Sequence, residues 1–153
     1  MDTEDAKSLD AASDDLILWA TARAGLIVVV PVLGSTALLA NEVYLIVRLG
    51  KIYGKKISES AALGFIGGLG ATFVGQTLAT MIPFPPLQIP IGMGVTYALG
   101  RVARSWIADG MPDSAEKYQA AFSSEFSSAK ARASDFSSHP NRDKPLGDEA
   151  RRF

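Results

Sequence analysis

The chain has 153 residues with 15 basic and 16 acidic side chains, no cysteine and one histidine, for a formal charge of -1. That length suits one domain with a sizeable core. Without cysteine there is no disulfide, iron–sulfur cluster or cysteine zinc site; His139 alone cannot build a metal centre, and balanced charge gives no footprint for nucleic acid.

Residues 1–14 are small and acidic without periodicity, the composition of a disordered tail, and an acidic start is not that of a secretory signal. Ser13 before Asp14 and Asp15 is placed to cap a first helix running to about Val30. Pro31 and Gly34 interrupt the apolar run "LIVVVPVLGSTALLA". A β-branched strand at 26–32 competes on propensity, but no second strand signal exists to pair with it. A second helix runs from Ser35 or Thr36 to Tyr53 and stops at Gly54, suited to a left-handed helix end. Ser58 and Glu59 open a third helix that continues to Ile82, where "PFPP" stops it. A fourth begins after Pro90 and ends near Ala108, at Asp109-Gly110.

The expected fold is therefore all-α: glycine-rich helical hairpins in a hydrophobic four-helix, membrane-associated module over 15–111, then an amphipathic helix over 112–137 and a disordered tail over 138–153. In that helix Asp113 and Glu116 have capping-box spacing. Ala115, Tyr118, Phe122, Phe126, Ala129, Ala133 and Phe136 follow at helical spacing along one face.

The stretch "GLGATFVGQT" has the glycine spacing of a phosphate loop, but Gln76 stands where the lysine belongs. Phe73 and Val74 are bulky for a phosphate cradle, and no buried strand precedes it. A second reading accounts for more residues. Gly64, Gly68, Ala71, Gly75 and Ala79 form one small-residue stripe on a continuous helix; Gly92, Thr96, Gly100 and Ala103 form another on the next. Such stripes let backbones approach closely, which is how helices associate in lipid.

No charged residue lies between Glu59 and Arg101, so 61–82 is long enough to cross a hydrocarbon core of about 30 Å. The fourth helix would cross with Arg101 and Arg104 reaching to the interface. Arg48, Lys51, Lys55 and Lys56 before the hairpin, with Arg101 and Arg104 after it, place both ends on the cytoplasmic side of an inner membrane. A soluble bundle with a glycine-rich core is the alternative. In the first helix pair, a hairpin bent at 31–35 would bring Arg23 level with Glu42, as an ion pair; otherwise each faces solvent on an interfacial helix.

No serine, histidine and carboxylate come together as a nucleophile site, so the expectation is a non-enzyme with no cofactor and no metal. Trp19, Trp106, Tyr44, Tyr53 and Tyr97 read as boundary aromatics. The segments "VRLGKIYGKKIS" (47–58), the glycine-rich helix, "MIP" (81–83) and "TYALGRVARSWIADG" (96–110) resemble the bacterial YcjF-like family, over roughly residues 20–110, with "TYALGRVA" the most specific part. The resemblance implies a helical, membrane-linked module of unknown function, sometimes found after a small GTPase domain, with no catalytic residue to carry over.

The expected function is a small membrane anchor or scaffold, contacting membrane lipid and forming homo-oligomers through Gly64, Gly68, Ala71, Gly75, Gly92, Thr96 and Gly100. A soluble protein partner would bind the aromatic stripe Tyr118, Phe122, Phe126 and Phe136, too sparse to form a core of its own. The alternatives are an oligomeric channel or a lipid- or quinone-sized chamber, or a regulator of a separately encoded GTPase.

Overall fold

The computed structural model describes residues 2–30, 34–114 and 116–136, and over these the chain is helical with no strand. The bend at 31–33, the tail at 138–153 and His139 lie outside the described residues. Helix α1 (Thr3–Ile27) starts near the chain's beginning, which corrects the disordered-tail expectation for 1–14. Glu4 and Asp5 occupy its first turn, where carboxylates suit the positive end of the helix dipole. Ser13 caps nothing: it is buried mid-helix, and its hydroxyl donates to the Asp10 carbonyl at 2.8 Å.

Helix α2 (Gly34–Ile52) returns antiparallel to α1 and leads to Gly54 at φ +72, the left-handed stop its sequence calls for. Ser58 caps α3 (Glu59–Gly68) by accepting from the Ala61 amide at 3.1 Å. The expected continuous helix to Ile82 does not form. The chain bends by 98° into α4 (Gly70–Ala79). Gly70 adopts φ +76, which a side chain would resist, and Gln119 donates to the freed Gly68 carbonyl at 2.9 Å.

Helix α5 (Pro85–Ala108) begins earlier than the sequence suggests, because Pro85 and Pro86 occupy its first turn, where the missing amide hydrogens have no partner to lose. Pro90 then lies inside the helix rather than before it. After Asp109 and Gly110 come α6 (Glu116–Lys130) and the short α7 (Ala133–Phe136). α5 is the central helix, with α1 and α2 on one side and α4 and α6 on the other.

Close packing around α5 uses its small residues. A Cβ added at Gly100 would lie 2.8 Å from Ile17 and 3.2 Å from Leu45; one at Gly92 would lie 3.1 Å from Val28. The stripe Gly92, Thr96, Gly100 and Ala103 therefore exists as expected but is filled from within the same chain, which corrects its assignment to contacts between copies.

Candidate functional site

The three long helices share two ends of opposite character. At one, the Arg104 guanidinium donates to Ser13 Oγ at 2.8 Å and to the Asp14 carboxylate, with Arg101 3.6 Å from the same carboxylate. Tyr53 at the end of α2 donates to Asp10 at 2.9 Å. Arg101 and Arg104 thus both contact the first helix.

At the other end, α1 finishes at Ile27 with Val28 as its C-cap, α2 starts at Gly34 and α5 begins at Pro85. Gln88 of α5 ties the ends of α4 and α1 to it, donating to the Thr80 carbonyl at 2.8 Å and lying 3.4 Å from the Val28 carbonyl. Around this junction the surface is apolar. Val74 and Leu78, one turn apart on α4, are 51% and 57% exposed; Met81, Ile82 and Phe84 in the α4–α5 link are 63%, 52% and 56% exposed. Leu26, Val30 and Leu87 add to the patch, and a hollow of about 350 Å³ lies between Val28–Val30 and the link. Among the described residues no single helix is long and apolar enough to cross a membrane; α3 and α4 reach that apolarity only as a bent pair.

That bend also divides the first small-residue stripe. Gly64 and Gly75 have nothing within 4 Å of an added Cβ, and Ala71 is exposed. Gly68 sits at the corner, its carbonyl held by Gln119. Among the described residues, Gly64 and Gly75 thus have no neighbouring helix against their open faces, unlike the glycines of α5.

The aromatic stripe has the opposite outcome to its expected one. Tyr118, Phe122, Phe126 and Phe136 are all buried in the chain's own core, so they are not offered to a partner. The reason is geometric: the 98° bend turns Phe73 onto Phe122 at 5.6 Å, Gly94 leaves room for Phe126, and Tyr97 stacks on Phe136 at 4.8 Å. Phe65 stacks on Trp106 at 4.4 Å beside a cavity of about 450 Å³ that Tyr118 also lines. The Tyr118 hydroxyl donates to Asp109 at 2.7 Å; Lys117, then Tyr118, hold that carboxyl below its usual range. Trp19 is fully buried against Tyr44 and is not a boundary aromatic.

A polar layer crosses the middle of the bundle. Gly100 meets Ile17 and Leu45, so one turn toward the apolar end lie Thr21, Thr96, Asn41 and Glu42, all fully buried. Asn41 Nδ2 donates to the Ala20 carbonyl at 2.9 Å, which fixes the α1–α2 register. Thr21 and Thr96 donate to the Ile17 and Gly92 carbonyls at 2.7 and 3.0 Å. Neither Glu42 oxygen, nor Asn41 Oδ1, has a hydrogen-bond partner among the described residues. Burial pushes the Glu42 carboxyl up to about 8, and no neighbouring charge opposes it.

The expected Arg23–Glu42 ion pair is therefore absent. The Asn41–Ala20 register sets Glu42 level with Trp19 and leaves Arg23 about one turn nearer the α1–α2 connection, its guanidinium 5.5 Å over the Trp19 ring. The sequence signal that was missed is Gln88, an amide among prolines in a charge-free run, which ties three helix ends together. Among the described residues no group of three or more metal-ligating side chains comes together. No protein-family model, curated protein or solved structure matches the chain.

Proposed function

We propose that the protein is a helical membrane anchor that docks its apolar end into one leaflet without crossing it. The single observation behind this is the concentration of exposed large side chains, Val74, Leu78, Met81, Ile82 and Phe84, within a run from 60 to 100 that holds no charge. A contiguous apolar surface of this kind is what a membrane or protein interface needs. Lipid is favoured because the irregular backbone there is satisfied internally: Gln119 serves the Gly68 carbonyl at the start of α4, and Gln88 serves Thr80 at its end. Hydrocarbon requires this of any chain that enters it.

The test is flotation of purified protein with phospholipid vesicles, comparing wild type with Leu78→Glu/Ile82→Glu/Phe84→Glu. These side chains are exposed, so the helical circular dichroism should be unchanged. At about 2.5–3.5 kcal/mol for a carboxylate placed in the apolar layer, the triple variant should lose at least about a hundredfold in partitioning. Equal flotation of the two proteins contradicts the reading.

A second reading rests on the open faces of Gly64 and Gly75: two anchored copies associate through α3 and α4 in the membrane plane. Gly64→Leu/Gly75→Leu should then abolish cross-linking between copies in vesicles while leaving flotation intact. Cross-linking at the wild-type level rules out this contact.

A further inference from the structure

We propose that the Glu42 carboxyl is a proton-binding site in the polar layer across the middle of the bundle: the neutral acid completes the closed bundle, and loss of its proton loosens that layer. This inference is independent of lipid and goes beyond the anchoring role.

An ionised carboxylate accepts hydrogen bonds and cannot give one. Glu42 is fully buried, and neither of its oxygens has a hydrogen-bond donor among the described residues. Burying a charge in that setting is far more costly than burying the neutral acid. The neutral acid also brings one donor into a layer whose Asn41 Oδ1 lacks a hydrogen-bond partner. The other polar groups of the layer are already committed: Thr21 and Thr96 to carbonyls of their own helices, Asn41 Nδ2 to Ala20.

The charged and titratable groups on the packed elements leave the carboxyl without a counter-ion. On α1 these are Asp15 and Arg23, the latter a turn away and over Trp19. On α2 they are Tyr44 and Arg48, on α3 Glu59, and α5 carries Tyr97 but no charged residue before Arg101. None of them contributes to the carboxyl's displaced titration, which comes from burial alone.

The sign follows from linkage. Below the ordinary glutamate value of 4.5, folded and unfolded chains both hold the proton. Between there and about 8 the unfolded chain releases it while the folded chain keeps it, so this group's contribution to stability falls as pH rises. Each pH unit in that window shifts the unfolding equilibrium by up to about tenfold.

The experiment is urea unfolding of wild type and Glu42→Gln from pH 4.5 to 8.5, with the carboxyl carbon of Glu42 followed by NMR in the wild-type chain. The wild-type protein should lose stability relative to Glu42→Gln by up to about tenfold per unit as pH rises, and the carboxyl should titrate near 8. A parallel pH dependence in the two proteins overturns the proposal. Should the variant not fold, the NMR titration decides by itself: a midpoint near 4.5 in the folded wild-type protein overturns it equally.

Discussion

Helices α3 and α4 and helix α5 are built from the same material and use it in opposite ways. The glycines of both regions lie within the charge-free run, and both regions place glycine at helical spacing. In α5, Gly92, Gly94 and Gly100 are each filled by a side chain of a neighbouring helix, Val28, Phe126 and Ile17 respectively. In α3 and α4, Gly64, Gly67 and Gly75 face open space. A glycine in a helix costs about 1 kcal/mol relative to alanine, so only the α5 positions recover that cost within the chain. The difference shows that a small-residue stripe specifies close approach without specifying what approaches.

The sharpest way to break the comparison is to remove the cover on the α4 and α6 side of the core. Phe122→Ala should destabilise the fold by about 3–5 kcal/mol, read as a fall in the urea midpoint, because Phe122 is fully buried against Phe73 and Phe126. A change below about 1 kcal/mol would mean that α6 does not cover the bundle. Next in size, Gly100→Ala should cost about 1–3 kcal/mol, since its Cβ would come within 2.8 Å of Ile17 in a close-packed layer. The smallest effect has the opposite sign. Gly75→Ala meets nothing and should stabilise α4 by about 0.5–1 kcal/mol in thermal unfolding. Should both alanine variants move stability in the same direction, the division between the two glycine sets fails.

Much of this was legible in the sequence, and the failures share one cause. The all-helical class, the Ser58 cap and the Gly54 stop depend on local chemistry, and local chemistry is what residue order carries. The break at Gly70 depends on a left-handed backbone stabilised from α6 by Gln119, a partner 51 positions away in sequence. Reading 61–82 as one helix hid the bend, and without the bend nothing covers Phe122, so the aromatic stripe looked free. The α1–α2 register is a similar case. Glu42 and Arg23 are nearly equidistant from the connection in sequence, but the Asn41–Ala20 hydrogen bond sets the pairing one turn away from that symmetric arrangement. Periodicity identifies faces; it does not identify which face is covered.

Because the chain has no native cysteine, single cysteines can report the surroundings of each surface directly. With an environment-sensitive fluorophore placed in turn at Leu78, Ile82, Phe84, Ala120 and Ser124, all exposed, vesicle binding and quenching by brominated acyl chains can be followed site by site. The account predicts a shift to an apolar environment and strong acyl-chain quenching at 78, 82 and 84, with water-like emission at 120 and 124 on α6. Water-like emission at all five positions in the presence of vesicles would contradict it.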